Sequence, residues 1–199
     1  MVETVLFPSG YFDAGTIDSD LRAEYEAALD TALFKVILFS YEKWFDEGCL
    51  SLTEITETPI MAVYRGWMMK PEQYAAFYES LKRRNITLVT TPEMYSLFHV
   101  FPNIYPKLEA DTAGMLTFPD GEEVDLELVK RTFDMFMVKD YVKSVKGTDF
   151  PKFLTNRISG QEFAELMKLF YKYRGSLYTG GICIKEYLNL KKYGTHTNE

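Results

Sequence analysis

Cysteine, histidine and tryptophan are scarce in this chain, with two of each among 199 residues. Cys49 and Cys183 sit in unlike contexts, which excludes a disulfide framework and makes a reducing cytoplasm the expected compartment. His99 and His196 lie far apart without Cys, His or Asp companions at ligand spacing, so no zinc site is expected. No apolar run approaches the roughly 20 residues that cross a bilayer. Met1-Val-Glu-Thr-Val-Leu-Phe-Pro8 lacks the basic start and long apolar stretch of a signal peptide. No membrane partner is therefore expected. Positive charge is also in deficit: the net charge is −7 and the pI near 5.0. That is the wrong balance for a chain that must neutralise nucleic-acid phosphates.

What the chain does have is apolar and aromatic side chains, 47% and 16% of its residues. That is enough for one large domain or two small ones. Thr4-Val-Leu-Phe7 reads as a buried strand stopped by Pro8-Ser9-Gly10. Asp18 or Ser19 caps a helix whose Leu21, Tyr25, Ala28, Leu29 and Ala32 recur at helical spacing. Residues 34–39 follow as a second strand, and such a βαβ unit implies a parallel sheet. Residues 41–59 are less regular. A third strand spans 60–65, ended by Gly66-Trp67, and Pro71 opens a helix with Tyr74, Phe77, Tyr78 and Leu81 on its buried stripe. A fourth strand covers 86–89, and Thr91-Pro92 starts a short helix. Residues 1–103 thus read as a Rossmann-like α/β half.

Phe101-Pro-Asn-Ile-Tyr-Pro106 is the expected boundary, because its prolines interrupt both periodicities. The second domain, 104–199, differs in style. It shows a strand at 114–118, a turn at Pro119-Asp120-Gly121 and a helix over 124–133. Then comes Met135-Phe-Met-Val-Lys-Asp-Tyr-Val-Lys-Ser-Val-Lys-Gly147, an apolar strand running into a basic loop. Ser159-Gly-Gln-Glu162 is a capping box for a helix carrying Phe163, Leu166, Met167 and Phe170. Tyr178-Thr-Gly-Gly181 turns into a last strand over 182–188.

On an extended strand, Lys139, Tyr141 and Lys143 share one face. A solvated lysine face and a cradle for a polyphosphate both account for that pair of ammonium groups. Lys146 reads as an ordinary loop lysine. Glu186 is either a cross-strand partner for a lysine or a nucleotide ligand. Arg65 falls at the C-terminal end of a parallel strand, where open α/β sheets bind ligands. A guanidinium there either clamps a substrate carboxylate, with Ser9, Gly10 and Tyr11 nearby, or makes a structural salt bridge. Trp67 is a better site candidate than Trp44.

Val138-Lys-Asp-Tyr-Val-Lys-Ser144, a polar loop and Lys185-Glu-Tyr-Leu-Asn-Leu190, in that order, resemble the ATP-grasp superfamily. The likeness is greatest to its bacterial and phage clade named for two arginines and a lysine. Leu6-Phe-Pro-Ser-Gly-Tyr-Phe12, Tyr64-Arg-Gly-Trp-Met68, Thr91-Pro92-Glu93 and Pro106-Lys-Leu108 extend the resemblance over the whole chain. It implies an α/β fold, a Rossmann-like pre-ATP-grasp half followed by the first part of an ATP-grasp α+β domain. It implies ATP with magnesium, Lys139 and Lys143 on the α- and β-phosphates, and a loop after Ser144 that excludes water. Lys107 would face the nucleotide, and Glu186 with the Tyr187 and Leu188 backbone would hold the nucleoside end. The implied reaction joins a small carboxylate, or a peptide end, to an amine through an acylphosphate, with Arg65 as the catalytic clamp. Two departures stand out. Lys185 replaces the family's hinge arginine and lacks its planar fork. The chain reaches His196-Thr-Asn-Glu199 before the strands that carry the family's acidic and Asn magnesium ligands, so those ligands are not expected within it. A truncated or non-catalytic nucleotide-binding module is the alternative.

Overall fold

The computed structural model describes residues 4–145 and 147–190; Lys146 and His196 lie outside them. Two compact units divide the chain, Met1–Ser96 and Leu97–Glu199.

In the first unit the βαβ pattern produces the parallel sheet it predicts. Strands β1 (Thr4–Pro8), β2 (Lys35–Phe39), β3 (Ile60–Tyr64) and β4 (Ile86–Leu88) pair in the order β2-β1-β3-β4. Leu6 of β1 aligns with both Ile37 and Tyr64. The central position of β1 explains its run of apolar residues, since a parallel strand covered on both faces does not alternate. The Asp18 carboxylate accepts the Asp20 N–H at 2.9 Å and opens a single 3-10 turn before α1 (Arg22–Asp30). Leu21, Tyr25 and Ala28 pack on Val5, Phe7, Ile17 and Leu38. The apolar stripe stops sooner than its spacing predicts, because Ala32 lies past the helix end at φ 52°.

The stretch 41–59 holds a helix that periodicity misses, α2 (Tyr41–Glu47). Ser40 caps its start and Gly48 ends it at φ 63°, a left-handed position that favours glycine. Trp44 is buried there, 5.3 Å from the Phe77 ring, and is a core residue. Helix α3 (Pro71–Lys82) lays Tyr74, Phe77 and Leu81 on Leu6, Ile37, Phe39 and Leu88. Helix α4 (Pro92–His99) follows. The strand order reverses between β1 and β3, and open α/β sheets bind ligands outside the carboxyl ends of the strands at such a point.

In the second unit the proline-rich stretch forms a helix, α5 (Phe101–Leu108). Pro102 falls in its first turn, where no intrahelical N–H bond is lost. Then come β5 (Met115–Pro119), α6 (Leu126–Thr132), β6 (Met135–Asp140), β7 (Leu154–Thr155), α7 (Gly160–Arg174) and β8 (Gly181–Glu186). The strands form an antiparallel sheet in the order β5-β8-β6-β7. The capping box forms as expected, with Glu162 N–H donating to Ser159 Oγ and Ser159 N–H to Glu162 Oε2. One sheet face carries Phe118, Phe136, Val138, Ile182 and Ile184 onto Val129, Phe133, Phe163, Met167 and Phe170. Gly181 enters β8 at φ +145°, where a Cβ would fall 2.4 Å from the Phe118 carbonyl oxygen; only glycine fits.

Strand β6 does not run on to Gly147. Asp140 ends it: its Oδ1 accepts the N–H groups of Val142 and Lys143 at 2.8 and 2.6 Å, and its own N–H donates to the Lys143 carbonyl. This Asx turn removes the strand geometry that would have put Lys139, Tyr141 and Lys143 on one face. No helix among the described residues is long and apolar enough to cross a membrane.

Candidate functional site

The antiparallel register assigns each side chain of the second sheet to a face. Phe136, Val138 and Asp140 point into the core with Ile182 and Ile184. Met137 and Lys139 point the other way, beside Lys185 and Cys183 respectively. Strand β5 adds Met115 opposite Lys185 and Thr117 opposite Cys183. The face opposite the core therefore has two cross-strand rows, Met115–Lys185–Met137 and Thr117–Cys183–Lys139. Lys139 and Lys185 are diagonal neighbours across one pair of strands.

Both ammonium groups gather over one ring. Lys139 Nζ lies 5.0 Å and Lys185 Nζ 5.5 Å from the Phe101 ring centroid. Lys185 Nζ also donates to Thr112 Oγ1 at 3.2 Å. Burial pushes the Cys183 thiol up to about 12 and Asp140 adds to the rise, while Lys139 and Lys185 oppose it. The two acids of these strands are engaged elsewhere. Asp140 Oδ2 accepts Arg174 Nε at 2.7 Å, an ion pair with side-chain exposures of 0% and 10%. Glu186 Oε2 accepts the Gly114 N–H at 3.1 Å.

Of the expected nucleotide residues, Lys139 is on this face. Lys143 is exposed in the turn beyond β6 and does not share the face. Burial and the Lys143 ammonium group both lower the pKa of His99. Lys107 is exposed in the last turn of α5. Glu186 ends β8, bonding Gly114 through both its amide and its carboxylate, and not a cross-strand lysine. The Tyr187 N–H donates to the Met135 carbonyl at 2.9 Å, and its ring stacks on Phe153 with centroids 4.5 Å apart. That amide is committed to the sheet. Leu188 is exposed.

Sequence reasoning missed two members of the cluster. The resemblance makes Lys185 a hinge residue, whereas counting back in twos from Tyr187 puts Lys185 and Cys183 on one strand face. Phe101 had no signal, because its place depends on the α5 helix.

At the carboxyl edge of the first sheet, Arg65 follows β3 as expected. Its guanidinium grips Glu24 of α1: Nε and Nη2 both meet the carboxylate, Nη2 at 2.6 Å. The pairing raises the Arg65 pKa and lowers that of Glu24. Trp67 Nε1 donates to Asp18 Oδ2 at 2.9 Å, tying the loop after β3 to the loop after β1. Ser9 is buried there, its hydroxyl without a hydrogen-bond partner.

No protein-family model and no curated protein sequence matches this chain. Solved structures do. A D-alanine–D-alanine ligase from Bacillus anthracis, complexed with ATP, is 9% identical and superposes with a TM-score of 0.52 over 96% of this chain and 60% of its own. The D-cycloserine synthetase DcsG is 13% identical, with a TM-score of 0.57 over 93% of this chain and 59% of its own. The ATP-grasp ligase PsnB, complexed with a minimal precursor, is 12% identical, with a TM-score of 0.51 over 95% and 65%. The mixed α/β fold of this chain matches the ATP-grasp fold of these structures. The chain spans 59–65% of the length of these three structures.

The β5-β8-β6 sheet carries the Lys139 and Lys185 ammonium groups on adjacent strands, the kind of charge a polyphosphate would require. Magnesium is a different case. No group of three His, Cys, Asp or Glu side chains able to hold a metal forms among the described residues. The Asp140 and Glu186 carboxylates of these strands already accept bonds from Arg174 and Gly114.

Proposed function

We propose that this chain carries the nucleotide-binding part of an ATP-dependent carboxylate–amine ligase. The observation that carries the reading is the gathering of Lys139 and Lys185 over Phe101 on the face of β6 and β8 opposite the core. Each ammonium group meets a phosphate oxygen as a point charge and neutralises part of the polyphosphate. Lys143, on the exposed turn held by Asp140, and Lys107 of α5 approach the same anion from outside the sheet. The end of β8, from Glu186 through Leu188, takes the nucleoside.

In the reaction that follows from this reading, a substrate carboxylate oxygen bonds to the γ-phosphorus as the bond to ADP breaks. An amine then attacks the acyl carbon, and inorganic phosphate leaves with the carboxyl oxygen. The lysines act by positioning and by stabilising charge on the transferring group. Arg65 takes the substrate carboxylate by exchanging it for Glu24. Magnesium, when bound, would neutralise phosphate charge further; the described residues supply no cage for it, and no step here is assigned to it.

Isothermal titration with ATP tests the reading. Saturable binding is expected, lost when Lys139 and Lys185 are both replaced by Ala while the melting temperature is kept. Equal affinity in the wild type and that double variant would refute it. The same titration with Arg65→Ala leaves ATP binding intact, because Arg65 is assigned to the other substrate.

A further inference from the structure

Strand β6 is broken by its own last residue, and the break decides where Lys143 stands. On an extended strand Lys143 would lie about 10 Å beyond Asp140, at roughly 3.3 Å per residue. The chain instead folds back at once. The Asp140 N–H donates to the Lys143 carbonyl at 3.0 Å, and Asp140 Oδ1 accepts the Val142 and Lys143 N–H groups at 2.8 and 2.6 Å. Residues bonded across in this way stand about 5.5 Å apart, so Lys143 is drawn back to the end of the strand.

We propose that Asp140 is a positioning residue of the polyphosphate site, its buried carboxylate folding the 140–143 turn that presents the Lys143 ammonium group to the anion. The inference rests on the nucleotide reading of this sheet. It goes beyond that reading by assigning a role to an acid that itself touches no phosphate.

The two carboxylate oxygens have separate tasks. Oδ1 holds the turn amides, and Oδ2 accepts Arg174 Nε at 2.7 Å. Arg174 is the last residue of α7 and is itself held, its Nη2 donating to the Leu177 carbonyl at 2.9 Å. Helix α7 therefore sets the direction of the carboxylate, which is fully buried and cannot turn away into water. A buried ion pair is a poor source of stability compared with apolar packing, and its best-attested use is to specify one arrangement. Here the arrangement is the turn. Lying on the core side of the sheet and paired with Arg174, the acid places a cation without offering its own charge to the ligand.

The residue inside the turn is pinned as well. The Tyr141 N–H donates to the Thr179 carbonyl at 3.2 Å, and its own carbonyl accepts the Phe101 N–H at 2.7 Å. Its ring lies against Gly180 and Gly181, where an added Cβ would fall 2.5 and 2.8 Å from ring atoms. The turn is thus tied to the entry of β8 and to the start of α5 together.

The experiment compares two charge-free pairs that differ in the turn acceptor. Asp140→Asn with Arg174→Met keeps a side-chain oxygen for the two amides, whereas Asp140→Leu with Arg174→Met removes it. ATP and inorganic tripolyphosphate are each titrated calorimetrically without metal, with and without Lys143→Ala, and melting temperatures are recorded. The Leu pair is expected to bind both ligands about 10-fold more weakly than the wild type, the lower range for a hydrogen bond to a charged group. Lys143→Ala should weaken the wild type by as much and add nothing in the Leu pair, because both changes remove one contact. The Asn pair should keep near wild-type affinity. Hydrogen exchange should find the Val142 and Lys143 amides protected in the wild type and the Asn pair and unprotected in the Leu pair. Equal affinities in the Asn and Leu pairs, or a full further loss from Lys143→Ala in the Leu pair, would overturn the proposal. Unprotected Val142 and Lys143 amides in the wild type, or ATP binding indifferent to Lys143→Ala, would overturn it even if neither pair folds. Failure of the wild type to bind either anion would overturn the nucleotide reading and this inference together, whereas wild-type binding indifferent to Lys143→Ala overturns this one alone.

Discussion

Replacing Asp140 with Ala strikes the point where β6, the turn after it and the end of α7 meet. The carboxylate is fully buried and accepts three N–H groups, from Val142, Lys143 and Arg174. Its removal leaves a guanidinium with 10% exposure holding, among the described residues, the Leu177 carbonyl at 2.9 Å. Taking one partner from a buried ion pair costs about 3–5 kcal/mol, because the other charge stays in a medium that solvates it poorly. Domain stabilities are only about 5–15 kcal/mol, so this is a large fraction. The paired change Asp140→Leu with Arg174→Met removes both charges and should cost less than Asp140→Ala alone. What then remains is the loss of an acceptor for two amides, about 1–3 kcal/mol. Urea unfolding combined with hydrogen exchange of the Val138 and Ile184 amides measures both. A cost below about 1 kcal/mol for Asp140→Ala would refute the reasoning, since a buried unpaired guanidinium cannot be that cheap. So would a double variant less stable than the single one.

Two further predictions use the shifted groups. His99 has a folded pKa below its unfolded value of about 6.5, through burial and then Lys143. The unfolded chain therefore binds more protons below that pH, so stability is intact above about pH 6.5 and falls as pH drops through the folded pKa. Urea midpoints between pH 7.5 and 5.5 should show the decline, and His99→Gln should flatten it. Cys183 is buried with its thiol raised to about 12, while Cys49 is exposed. A thiol reagent at neutral pH should therefore modify one cysteine in the folded protein and two in denaturant.

The elements that were legible in the sequence are those with local causes. The βαβ spacing, Pro71 at a helix start and the Ser159/Glu162 box each act over a few residues, and each appears where the pattern put it. Helix α2 was legible in principle from Ser40 and Gly48 but is too short to show a period. Helix α5 was hidden because prolines were read as breaks, although one in the first turn is tolerated. The site was half legible. Lys139 carried a signal because strand alternation is local, and the same alternation misplaced Lys143. An aspartate that folds the chain back by side-chain bonds ended the strand before that rule could apply. The diagonal placement of Lys139 beside Lys185, 46 positions on in the sequence, depends on the register between β6 and β8, which no local pattern encodes.

Backbone amide NMR during titration with a non-hydrolysable ATP analogue tests the central claim most directly. The account predicts saturable shifts concentrated at Phe101, at 137–143 and at 183–188, absent when Lys139 and Lys185 are both Ala. Shifts confined to the loops after β1 and β3, or none at all, would contradict it.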